Sequence, residues 1–107
     1  MLVPMAHIEV WGDKAYDNPG VNHFLENDVR KDIVTAYSNS VLSPQFQASQ
    51  LRSIVHNYFC FAFHYMGEAS IARNERQAFG NYISLYPWAY EGIYDPKDVD
   101  ALLAKRS

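Results

Sequence analysis

The chain has 107 residues, of which 49% are hydrophobic and 20% charged, a composition suited to one folded domain with a single core rather than to a disordered segment. A formal net charge of -3 argues against a nucleic-acid binder, which carries a basic stripe. A single cysteine, Cys60, excludes an internal disulfide and points to a reducing, cytoplasmic setting.

No apolar run approaches the ~20 residues that span a bilayer, so neither membrane nor nucleic acid is an expected partner. The first five residues are apolar but lack the basic flank and length of a signal peptide, and Met5 reads as an alternative initiator. Eight Tyr, six Phe and two Trp carry more large apolar surface than one small core hides. That excess predicts a protein interface, or a self-associating face of a homodimer.

Residues 7–11 read as a short extended arm, and residues 12–18, rich in Gly, Asp and Asn, as a loop. A first helix is predicted from Asn18, a favoured N-cap followed by Pro19 at the first helical position. Val21, Phe24, Leu25, Val29, Ile33 and Tyr37 then form one apolar stripe, with Glu26, Arg30 and Lys31 facing water. The helix should end over residues 38–40.

Ser43 and Pro44 repeat the cap-then-proline signal and open a second predicted helix. Its apolar residues, from Leu51 through Tyr58 and Phe63 to Met66, cover most of its circumference, which predicts a central position. Gly67 is the expected C-cap. A third helix is predicted over residues 69–86, with Gly80 inside it to admit a close neighbour at a cost of ~1 kcal/mol and Pro87 ending it. Residues 88–94 form an aromatic loop, and Asp95 with Pro96 caps a short last helix whose Lys105 and Arg106 complement its dipole.

The expected fold is mainly α: a small single-domain bundle of three principal helices plus a short C-terminal helix, with a short N-terminal extended arm. Residues 1–17 would be the arm and loop, and residues 18–106 the helical body.

Trp11-Gly12, then Asp17-Asn18 with Tyr16 before them, then Phe24-Leu25 resemble the start of the uncharacterised DUF4259 family of short bacterial and phage proteins. The resemblance covers about the first quarter of the chain, and Pro19 stands where that family often has an acidic residue. It implies bacterial or phage kinship and no particular activity. Read locally, Trp11 would pack on the first helix, Gly12 would allow a turn, and Asp17 or Asn18 would cap.

Enzyme chemistry is weakly represented. His56 and His64 lie eight residues apart, roughly 80° around the helix and roughly 12 Å along it, too far to share one metal. His7 and His23 would need long-range convergence. Cys60 sits mid-helix between Phe59 and Phe61, where apolar company disfavours a reactive thiolate. Asp28 and Asp32 share a helix face, but beside Arg30 and Lys31 they read as a mixed-charge surface. No phosphate loop, nucleophile elbow or Cys-x-x-Cys occurs, and no basic recognition helix follows the small residues near Gly67. No catalytic residue, metal or cofactor is therefore expected.

The composition instead predicts a small non-catalytic protein-binding module, an inhibitor of the immunity, anti-defence or phage type. Its contact residues would be Trp88, Tyr90 and Tyr94, joined by Tyr86, Arg73 and Arg76, because Tyr and Trp dominate binding hot spots. An alternative is a sensor of a nucleotide-like small ligand with a pocket of Tyr58, His64, Tyr65 and Tyr82. A metal-dependent enzyme is the third reading.

Overall fold

The computed structural model describes residues 3–17, 22–39 and 52–105. Among them the chain is mainly helical and without strands: α1 (Val3–Asp17), a 3-10 turn (His23–Leu25), α2 (Asn27–Asn39), α3 (Arg52–Tyr65), α4 (Ala69–Phe79), a second 3-10 turn (Trp88–Glu91) and α5 (Pro96–Ala104).

The N-terminal segment is a helix, not an extended arm. Gly12 reads as a breaker in sequence, but one internal glycine costs only ~1 kcal/mol. Burial outweighs that cost: Ile8 is fully buried, and the Trp11 ring lies 5.2 Å from Phe61 and 4.8 Å from Tyr65. Trp11 thus packs on the central helix rather than on the helix that follows it in sequence. The predicted cap at Asn18 and Pro19 lies outside the described residues, as do Val21, Leu51 and the Ser43-Pro44 start signal.

The next described helix, α2, begins at Asn27, and a 3-10 turn precedes it. Asn22 caps that turn by accepting from the Phe24 N–H at 3.0 Å, and Glu26 is extended between turn and helix. This break rotates the stripe, so Phe24, Val29 and Ile33 are buried while Leu25 turns out to solvent.

Every residue from Val55 to Met66 is buried, which places α3 at the centre, and its most extensive packing is on α4. Gly67, at φ +82°, ends α3: its N–H donates to the His64 carbonyl, and the Glu68 N–H to that of Phe63. This is the left-handed C-cap expected of glycine.

The third predicted helix stops early. α4 ends at Phe79 because Gly80 takes φ +57°, and a Cβ there would meet nothing within 4 Å. Gly80 is therefore a terminator and not a packing gap, and residues 82–87 are irregular, with a cis Tyr86–Pro87 peptide. Asp95 caps α5 as its pattern predicts, accepting from the Lys97 N–H at 2.8 Å with Pro96 at the first position.

Candidate functional site: the aromatic loop and its groove

The loop between α4 and α5 is organised from below by one residue of α3. Asn57 is completely buried and uses its whole amide. Its Nδ2 donates to the Ser53 and Tyr82 carbonyls at 2.6 and 3.0 Å. Its Oδ1 accepts from the Ser84 N–H at 3.2 Å and the Trp88 Nε1–H at 2.8 Å. Trp88 is fully buried, with its ring centroid 5.5 Å from Phe61 and 6.3 Å from Phe79. The Ile93 N–H returns to the Trp88 carbonyl at 3.1 Å, and Gly92 takes the left-handed conformation that this turn requires.

The pinned loop sends three side chains inward, Pro87, Trp88 and Ile93, and leaves five large ones outside. Tyr82 is 77% exposed, Tyr94 67%, Leu85 60%, Tyr86 50% and Tyr90 46%. Single exposed apolar residues are ordinary, but five within one short segment are not. Trp88, expected among the contact residues, is instead the loop's anchor: its indole N–H needs a buried acceptor, and Asn57 supplies it.

Between the loop and α1 runs a groove of about 260 Å³ lined by Met5, Ile8, Glu9, Tyr58, Tyr86 and Tyr90. The Tyr86 and Tyr90 rings are 5.6 Å apart and inclined by 54°. An added Cβ at Gly12 would stand 3.1 Å from Tyr90 Cε1, so glycine is what lets this ring lie against α1.

The other sequence-flagged residues are dispersed. Arg73 is exposed. Arg76 is occupied: it donates to Asp100 from Nε at 2.8 Å and to the Gly80 carbonyl at 2.7 Å, and its guanidinium lies 4.9 Å from the Phe79 ring. Both arginines line a different groove, with Asp100 and Leu103. Of the alternative ligand set, Tyr58 lines the α1 groove, whereas His64 and Tyr65 are buried side by side with ring centroids 4.9 Å apart. The Tyr65 hydroxyl donates to Glu91, and Tyr82 stands out in solvent. These four residues do not close one pocket around a planar ligand.

Two polar clusters escaped the sequence reading. Glu75, 3% exposed, accepts from the Tyr37 hydroxyl and from His56 Nδ1–H, joining α2, α4 and α3 through one carboxylate. Its signal was available, since Glu75 falls at helical spacing among Ile71, Ala72 and Phe79, the apolar stripe of α4.

The second cluster is a histidine pair. His7 Nδ1 and His23 Nε2 are 2.9 Å apart, His7 Nε2 lies 3.2 Å from Asp32, and His23 Nδ1 lies 3.5 Å from Glu26. Asp32 thus serves His7 rather than Asp28. Among the described residues no group of three or more His, Cys, Asp or Glu is arranged to hold a metal ion, and no helix is long and apolar enough to cross a membrane.

Three groups are held in their protonated forms. Burial pushes the Cys60 thiol well above its ordinary value of 9.0, with Glu75 adding to the effect. Burial also raises Tyr37, helped by its hydrogen bond to Glu75 and that carboxylate's charge, and it raises Tyr58, helped by Tyr90 and Glu9. A raised folded value gives stability that is fully present below the ordinary value and is lost as pH climbs towards the folded one. The thermal midpoint, followed by circular dichroism, should therefore fall as pH rises from about 9 to about 11. Cys60→Ala should remove the lower part of that fall; a midpoint unchanged across the window would contradict the assignment.

No family model matches this chain, and neither a curated protein nor a solved structure matches it significantly. The functional reading therefore rests on the loop and its groove.

Proposed function

We propose that the chain is a non-catalytic protein-binding module, an inhibitor of the immunity, anti-defence or phage type working in the cytoplasm. Its contact surface is Tyr86, Tyr90 and Tyr94, extended by Tyr82 and Leu85. The observation that carries this reading is the row of five exposed large side chains on a segment anchored by Trp88 and Asn57. A loop already fixed before binding loses little entropy when a partner docks, and tyrosine offers broad contact area with few rotors. Kinship with the bacterial and phage family that residues 11–25 resemble is part of the same proposal.

Alanine at Tyr86, Tyr90 and Tyr94 together tests it. These rings are 46–67% exposed, so chemical denaturation should change by no more than about 1 kcal/mol. Partner capture should weaken by at least roughly thirtyfold, a hot-spot loss of about 2 kcal/mol. Should the partner be a second copy of the chain, the triple variant would instead shift a dimer to a monomer in light scattering. Undiminished capture and unchanged mass would refute the surface.

The groove beside the loop supports the small-ligand reading in a narrower form, with Tyr58 the one residue of the predicted pocket that lines it.

A further inference from the structure

The groove between α1 and the loop has a composition that a plain apolar contact does not require. Tyr58, Tyr86 and Tyr90 contribute to its walls, and among the described residues the one charged side chain lining it is Glu9. Among the described residues no basic side chain lines the groove, and no ion pair of Glu9 is seen. Glu9 is near enough to Tyr58 for its charge to help hold the phenol protonated, so carboxylate and rings serve the same space.

The faces of aromatic rings carry negative potential and attract cations. Two of these rings meet at a corner, 5.6 Å apart and tilted by 54°, and a carboxylate supplies a counter-charge. The volume, about 260 Å³, is several times the about 30 Å³ that a water occupies in the liquid. It admits an alkylated ammonium head and the first carbons of its stem.

We propose that this groove is a cation–π site for a trimethylammonium group, with Tyr58, Tyr86 and Tyr90 as its walls and Glu9 as its counter-ion. An unmethylated ammonium carries three N–H donors, and the groove offers it one carboxylate and phenol oxygens. A quaternary head donates no hydrogen bonds, so entry leaves none unmet. The proposal rests on the reading of the loop as a binding face and names the chemistry that this face selects. The group could arrive as a free choline-like molecule or as a methylated lysine of a partner protein.

The full chain is titrated with tetramethylammonium and with choline, and in parallel with the neutral tert-butyl analogue of choline, following tyrosine ring signals by NMR. Both cations should give saturable shifts confined to Tyr58, Tyr86 and Tyr90, and the neutral analogue should bind about tenfold more weakly. Glu9→Gln, an exposed position, should keep the helical dichroism and weaken choline several-fold. A trimethyl-lysine peptide that outcompetes choline assigns the protein source, and one that does not assigns the small molecule.

Equal binding of cation and neutral analogue, or saturable binding of neither cation, overturns the site. Partner capture that depends on Tyr90, with saturable binding of neither cation, leaves the protein-binding reading standing and removes this one.

Discussion

Asn57→Ala is expected to destabilise the fold by about 3–5 kcal/mol, because it strands buried groups on both sides of its amide. The Trp88 indole N–H and the Ser84 N–H lose their acceptor, and the Tyr82 and Ser53 carbonyls lose a donor. A buried orphan costs about 1–3 kcal/mol, and the largest losses belong to groups that water cannot reach. Urea denaturation followed by circular dichroism gives the magnitude, and hydrogen exchange gives the location: amides of residues 84–93 should lose protection before those of α3. Trp88→Phe, which keeps a ring but removes the donor, should cost about 2 kcal/mol. Because both changes break one bond, the double variant should cost clearly less than the sum. A loss below about 1 kcal/mol for Asn57→Ala would mean that the loop does not depend on this amide.

Glu75→Ala should be about as damaging, about 3–5 kcal/mol, since it removes the acceptor shared by the buried His56 and the partly buried Tyr37. Tyr37 comes from α2 and His56 from α3, so the carboxylate on α4 is the polar tie among three helices. Glu75→Gln keeps the shape and one acceptor oxygen and should cost roughly half as much. An independent readout is the Tyr37 phenol. Burial, the bond to Glu75 and the charge of Glu75 all raise its ionisation, and Glu75→Ala leaves only the first. Its absorbance titration should therefore move to lower pH in any variant population that remains folded. No movement would show that Glu75 does not control Tyr37.

Much of the architecture was legible because its causes are local. Gly67 and Asp95-Pro96 act within one helical turn, and both bound their helices as their residue types require. The central place of α3 followed from apolar residues around most of its circumference. Gly80 shows where local reading divides. An internal glycine is compatible either with a close neighbour or with a left-handed stop, and only the positive φ chooses the second. Gly12 shows the opposite outcome: its local preference for a turn yields to Ile8 and Trp11, which gain more by lying on α3 than the helix loses at one residue. The candidate site was legible as a segment but not residue by residue. The aromatic loop stood out by composition, yet Asn57 carried no motif, and Glu9 belonged to what read as an extended arm.

The sequence by itself determined that this chain is helical, where two of its helix ends fall, and that its aromatic content exceeds what a small core consumes. Those properties depend on propensity, capping and composition, which act on near neighbours. Only the tertiary structure decided which aromatic rings are core and which are surface. Trp88 and Tyr90 are two residues apart and chemically alike, but Trp88 meets an acceptor on Asn57, 31 residues earlier in the chain, and Tyr90 meets the bare backbone of Gly12. Burial of a ring with a polar edge follows the partner that waits for that edge, and such a partner is set by the fold rather than by the ring's neighbours in sequence.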